Sequence, residues 1–156
     1  MDDGTLTRFE PGSVDFEARV RDSFAKQGAM TTIGAELARV EPGHVDIRVP
    51  YVDGLSQQHG FFHGGVVSMI ADSAGGYAAF SLFGSDDGIL TVEFKVNLAA
   101  PADGEFIIAR GRVIRPGRTL TVATADVFAV KDGEEKLCAV MQQTLMRITG
   151  RADVVG

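Results

Sequence analysis

The chain is poor in the residues that disulfides, metal sites and nucleotide loops require. Its 156 residues include one cysteine, Cys138, which cannot form an internal disulfide and suits a reducing compartment. Because Cys138 lies in an apolar strand pattern, an inert core thiol is favoured over a nucleophile. A cysteine pair, a Walker glycine loop and a Gly-x-Ser-x-Gly sequence are also absent. We therefore predict no metal and no cofactor, and Ser-His-Asp catalysis has no support.

Positive charge is also scarce. The net charge is -6 and the pI is near 5.0, which argues against nucleic acid or an anionic membrane as partner. The N-terminus carries Asp2 and Asp3 and lacks the basic-then-apolar order of a signal peptide. We therefore expect a cytoplasmic protein with one domain, residues 13–150, between an N-terminal arm (1–12) and a C-terminal tail (151–156).

The longest apolar segment, residues 66–83, contains a single charged residue, Asp72. A helix that is apolar on nearly all sides must be buried, and the glycines and serines within it argue against a membrane span. Burying an unpaired carboxylate is costly or raises its pKa, and no Lys, Arg or His stands on the neighbouring turns. Asp72 is therefore a candidate functional residue, although it could instead cap a broken helix or pair with a distant arginine.

Alternating segments on both sides of this helix predict strands. We expect an N-terminal helix from the cap Ser13 to about Gly28, because Phe16, Val20 and Phe24 recur every four residues. Strands are expected over residues 33–38, 45–51, 90–98, 105–114, 119–130 and 136–148. In the third strand, Leu90 to Leu98 should place alternate apolar residues on one face, with Thr91 on the other.

This order predicts an α+β fold in which a six-stranded antiparallel sheet wraps around one long buried helix, with a second helix at the N-terminus. One sheet cannot cover the buried helix on every side. We therefore expect a second copy of the chain to cover the rest, as a homodimer or as a dimer of dimers, that is, a homotetramer.

The sequence Gln-x-x-Gly-x-x-His-Gly-Gly at residues 57–65, followed by an acid eight residues after Gly64, resembles the motif of hotdog-fold acyl-CoA thioesterases of the phenylacetate-catabolism (PaaI-like) type. The similarity extends over residues 30–148. Gln57 stands where these proteins usually have Asn. The resemblance implies hydrolysis of an acyl- or aryl-acyl-CoA to the free acid and coenzyme A.

The resemblance also implies roles for individual residues. Asp72 matches the catalytic acid, as general base or nucleophile, and Gly64 matches the glycine whose N–H polarises the thioester carbonyl. Gln57 takes the position that orients substrate or water, and Thr91 that of an assisting hydroxyl. We assign His63 and Gly65 to substrate binding, although a structural role at the start of the helix is an alternative for both.

The spacing of Gly64 and Asp72 has a consequence of its own. Eight residues of helix correspond to about 12 Å, so the two residues of one chain cannot touch the same carbonyl group. If both act, Gly64 must come from one subunit and Asp72 from its partner, across a twofold axis.

Four arginines, at positions 110, 112, 115 and 118, form the main positive segment of this acidic chain, with no acid between Glu105 and Asp126. We expect Arg110 and Arg112 to pair with acids elsewhere. Arg115 and Arg118 flank a Pro-Gly turn and are candidate ligands of the phosphates of coenzyme A. Two alternatives to hydrolysis are left open, a non-catalytic acyl-CoA-binding protein and an acyl-CoA hydratase or dehydratase.

Overall fold

The computed structural model describes residues 7–156, so the first six residues of the predicted arm lie outside the described part of the chain. Its helices are α1 (Phe16–Lys26), α2 (Gly28–Thr32) and α3 (Gly64–Phe80). Its strands are β1 (Glu36–Glu41), β2 (His44–Pro50), β3 (Gly88–Leu98), β4 (Phe106–Arg115), β5 (Leu120–Lys131) and β6 (Glu134–Ile148). Two short 3₁₀ turns lie at Asp53–Leu55 and Ala152–Val154.

The six strands form one antiparallel sheet in the order β1-β2-β4-β5-β6-β3. The long segment containing α3 connects β2 to β3, so the helix crosses the sheet and β3 joins the far edge beside β6. This arrangement confirms the predicted six-stranded sheet around a buried helix.

Alternation on the central strands makes the core under α3. The inward residues of β5 are small, as expected, and all are buried: Thr121, Ala123, Ala125, Val127 and Ala129. Opposite them, Ile107, Ala109 and Val113 of β4 are buried as well. Gly111 of β4 lies so close to α3 that an added Cβ would overlap the backbone of Ala74. Helix and sheet therefore approach each other more closely here than any side chain would permit.

Three local expectations near the N-terminus are wrong. Helix α1 begins at Phe16 with Asp15 at its N-cap, not Ser13, and Ser13 lies in the turn before it. The residues after α1 form a second short helix, α2, which the sequence did not indicate. Because α2 and a turn with Gly34 at φ +68° follow, β1 starts at Glu36 and not at residue 33.

The simple alternation expected for β3 is also wrong, because a β-bulge interrupts it. Register with β6 shifts between Thr91 and Glu93. Thr91 pairs with the buried Leu145, whereas Phe94 pairs with the buried Gln143. The extra residue at the bulge thus places Thr91 on the helix side together with Phe94 and Val96. Leu90 pairs with Met146 and lies on the outer side.

Strand β3 is an open edge of the sheet and exposes large apolar side chains. Leu90, Val92, Phe94 and Leu98 are each 45–56% exposed. The other edge, β1, has six residues, whereas β3 has eleven. A long apolar strand whose outer edge is not paired with another strand favours pairing with another chain.

Substitution at Gly111 tests the close approach of α3 to the sheet. We expect Gly111→Ala to lower the free energy of unfolding by about 2 kcal/mol, because the methyl group would push α3 off the sheet. Gly28→Ala is the control, since no atom lies within 4 Å of a Cβ at Gly28 and a change within about 0.5 kcal/mol is expected. Urea denaturation measures both, and equal effects would contradict the packing described.

Candidate active site

The start of α3 presents a backbone N–H that the chain itself does not use. His63 is the N-cap, and its Nδ1 accepts a hydrogen bond from the N–H of Gly65 at 2.9 Å. The N–H groups of Val66 and Val67 donate to the carbonyl of His63. The N–H of Gly64 has no acceptor among residues 7–156. A free N–H at a helix N-terminus suits an oxygen that develops negative charge.

The loop before α3 holds Gln57 next to this helix terminus. The backbone of Gln57 is bonded to Phe61 and Gly60, and its side-chain oxygen accepts from the N–H of His59. These bonds close a tight turn in which Gly60 has φ +82°. The amide nitrogen of Gln57 makes no hydrogen bond within residues 7–156, so it is free to donate to a ligand.

Asp72 lies two turns further along α3, is partly buried, and forms no ion pair with any cation of residues 7–156. Its Oδ1 accepts from the hydroxyl of Thr91 at 2.8 Å and from Nε2 of Gln143 at 3.2 Å. Burial raises the pKa of Asp72 above its ordinary value, and the bonds from Thr91 and Gln143 oppose that rise. No bond to Oδ2 is made within residues 7–156. One carboxylate oxygen is thus fixed and the other is available.

Gln143 of β6 is the site residue that the sequence interpretation missed. Its side chain is fully buried, and its Nε2 also donates to the backbone carbonyl of Asp72 at 3.0 Å. The available signal was an amide at an inward position of β6, between the buried Met141 and Leu145. An inward amide on an apolar face needs a polar partner across the core.

Two separate cavities contain the candidate residues. One, of about 410 Å³, is lined by Asp72, Thr91 and Tyr77, by Ser23 and Lys26 of α1, and by Gln27, which follows α1. The other, of about 470 Å³, is lined by Gln57 and Gly64 and by apolar residues such as Phe61 and Leu98. The two cavities share no lining residue. Within one chain the structure therefore unites Asp72 with Thr91, and Gly64 with Gln57, but not the two pairs.

Of the four arginines at positions 110–118, the first two are paired with acids, as expected. Arg110 binds Glu135 through two bonds, and Arg112 binds Asp126 at 2.8 Å. Arg115 at the end of β4 and Arg118 in the β4–β5 turn are exposed and form no ion pair within the described residues. They are therefore the two cations of this segment that could take a phosphate.

The cysteine and the two histidines of the loop before α3 are not placed for catalysis. Burial raises the pKa of the Cys138 thiol to about 11, so the nucleophilic thiolate is disfavoured. His59 and His63 stand four residues apart, but they lie in the loop and N-cap rather than on one helix face, and Nδ1 of His63 is used in capping. No helix within residues 7–156 has the length and apolar character needed to cross a membrane.

The buried charge of Asp72 predicts a pH-dependent stability. Its raised pKa means that folding favours the protonated form, a contribution fully present below the ordinary aspartate pKa and lost as the pH rises through the raised value. Asp72→Asn keeps the shape of the side chain and an oxygen that can accept from Thr91 and Gln143, but it removes the charge. Its stability relative to wild type should therefore improve from acidic to neutral pH, as measured by urea denaturation at fixed protein concentration. A difference that does not change with pH would contradict this.

Comparison with known proteins identifies the family. Residues 59–136, half of the chain, match the thioesterase superfamily model. A thioesterase family protein from Silicibacter pomeroyi is 52% identical, with a TM-score of 0.85, over 86% of this chain and 99% of that one.

Two more distant proteins agree with this. A 1,4-dihydroxy-2-naphthoyl-CoA hydrolase of Listeria monocytogenes is 25% identical over 76% of this chain and 94% of its own. The E. coli PaaI protein from the phenylacetic acid degradation operon, 18% identical, shares the fold with a TM-score of 0.77 over 89% of this chain and 97% of its own. The chain belongs to the thioesterase superfamily and is a hotdog-fold thioester hydrolase.

Proposed function

We propose that the protein hydrolyses an acyl- or aryl-acyl-CoA to the free acid and coenzyme A, at a site shared by two subunits. One observation carries this proposal. A partly buried carboxylate with one free oxygen and a helix N-terminus with a free N–H stand about 12 Å apart along the same helix. These are the groups that thioester hydrolysis needs, and a second subunit is what brings them together.

The chemistry follows from the two groups. The N–H of Gly64 from one subunit donates to the thioester carbonyl oxygen and stabilises the negative charge that develops there. Asp72 of the other subunit then acts through Oδ2. It either takes a proton from an attacking water or attacks the carbonyl carbon itself, forming an anhydride that water opens. In both routes the C–S bond breaks and the departing sulfur takes up a proton to give coenzyme A.

The remaining site residues support these two. Thr91 donates to Oδ1 of Asp72, and Oδ2 accepts no hydrogen bond within residues 7–156. The free amide nitrogen of Gln57 can donate to the substrate or to the water beside Gly64. His63 and Gly65 hold the helix terminus in place through their mutual hydrogen bond. Neither lines the two cavities, so their assignment to substrate binding stays a prediction.

The second subunit is a copy of the same chain, paired through β3. Large apolar side chains of β3 are exposed, and so is Met69, which lies one helical turn before Asp72 in α3. Antiparallel pairing of two β3 strands would extend the sheet and cover both helices. Two such dimers form the homotetramer predicted from the sequence. The cytoplasmic location and the division of the chain into arm, domain and tail stay predictions.

Coenzyme A is the leaving group that the surface charge supports. The relative that hydrolyses 1,4-dihydroxy-2-naphthoyl-CoA acts, by its name, on a CoA thioester. Arg115 and Arg118 offer two cations without acidic partners in the described structure, and phosphates are the ligands that such arginines bind well. The cavity beside Asp72, at about 410 Å³, has room for an acyl or aryl-acyl group.

Removal of the Asp72 charge tests the function. We expect Asp72→Asn to lower hydrolysis of acyl-CoAs about a hundredfold or more, because a positioned acid or base contributes on that scale. Asp86→Asn, at an exposed turn position, is the matched control and should retain wild-type rates. The measurement is release of free coenzyme A from short, long and aromatic acyl-CoAs. Near-native turnover by Asp72→Asn would exclude this role.

A further inference from the structure

Among residues 7–156, Gln143 is the buried polar side chain that contacts the candidate acid from the sheet side. It is 0% exposed, and its Nε2 donates both to the backbone carbonyl of Asp72 at 3.0 Å and to Oδ1 at 3.2 Å. The two hydrogens of one amide nitrogen thus hold the main chain and the side chain of the same residue. From these contacts we propose that Gln143 is a positioning residue, which fixes the orientation of the Asp72 carboxylate and leaves Oδ2 as the reacting oxygen.

The contact between Gln143 and Asp72 is kept although it leaves the other end of the Gln143 amide buried without a partner. Its Oε1 is buried and has no hydrogen-bond partner in the described structure. Burial of an unpaired acceptor is unfavourable, and replacing the amide with an apolar side chain of similar shape would remove that cost. The amide cannot turn over to relieve it, because Nε2 must face the two oxygens of Asp72. The contact with Asp72 is therefore what the amide provides.

Gly75 makes room for this contact. It stands three residues after Asp72, on the adjacent turn of α3. A Cβ at Gly75 would lie 2.5 Å from Oε1 of Gln143 and 2.8 Å from its amide carbon. The absence of a side chain at Gly75 thus lets the amide approach the helix. A side chain at this position would displace Gln143 from Asp72.

The bond from Gln143 also changes the titration of Asp72 in a known direction. Burial raises the pKa of Asp72, and the bonds from Thr91 and Gln143 lower it. The other titratable groups at the same cavity belong to Lys26 of α1, Tyr77 of α3 and Gly156, the last residue, which carries the terminal carboxylate. None of these groups contributes to the shift, so the hydrogen bonds from Thr91 and Gln143 are what opposes the rise in the pKa of Asp72. Loss of Gln143 should raise the pKa further, and the acid limb of the pH-rate profile should move to higher pH.

Replacement of Gln143 by methionine tests the proposal, which rests on the proposed thioesterase function. Gln143→Met keeps the length and removes both hydrogen bonds. We expect kcat to fall about tenfold to a hundredfold with little change in KM, because Gln143 holds the acid and does not touch the substrate. The acid limb of kcat/KM should shift upward in the same variant. The matched control is Gln142→Met, the same change at an exposed position on the opposite face of β6, which should alter neither.

A second variant and a second measurement keep the test independent of activity. Gly75→Ala should displace the Gln143 amide from the helix side. The acid limb of kcat/KM should again move to higher pH. If Gln143→Met does not fold, Gly75→Ala is judged by the same criterion. NMR titration of the Asp72 carboxyl carbon reads the pKa directly, even if wild type hydrolyses no CoA thioester, so failure of the function and failure of this inference are distinguishable. A folded Gln143→Met or Gly75→Ala variant with unchanged Asp72 titration would overturn the proposal.

Discussion

The structure depends on the need to cover a helix that is apolar on almost every side. Nine residues of α3 are buried against the concave face of the sheet. The close approach at Gly111 and the small side chains of β5 allow that helix to sit deep in the curve. The sheet nevertheless ends at β3, where apolar side chains and one face of α3 are exposed. Asp72 is partly buried one helical turn after the exposed Met69, so the incompletely covered part of α3 is also where the proposed chemistry lies.

The environment of Asp72 balances opposing effects. Desolvation favours the neutral acid, whereas a hydroxyl and an amide donate to the charged form. No cation within residues 7–156 pairs with the carboxylate, and a cation there would make it a weaker base and a weaker nucleophile. A carboxylate that is held by hydrogen bonds alone keeps its charge available to the substrate. This differs from Arg110 and Arg112 of β4, which form ion pairs with Glu135 of β6 and Asp126 of β5.

Much of the fold could be predicted from sequence because alternation and the apolar segment are strong, local signals. The six strands and α3 follow from these signals. The motif at residues 57–65 indicated that the N-terminus of α3, at Gly64, belongs to the site. The bulge at Thr91 could not be predicted, since an extra residue in one strand is defined only by its pairing with β6. Helix α2 was missed because a segment of five residues is too short to show a helical repeat of apolar residues. Gln143 was missed because its importance depends on a contact across the core.

The central claim, a site assembled from two subunits, is tested most directly by mixing two inactive variants. Asp72→Ala and Gln57→Ala damage opposite ends of the proposed site. In a mixed dimer, one site then carries both lesions and the other carries none. Random exchange makes half of the dimers mixed, so co-refolding should restore about one quarter of wild-type activity by symmetry. No recovery, after exchange of subunits has been demonstrated, would contradict a shared site and place the reaction within a single chain.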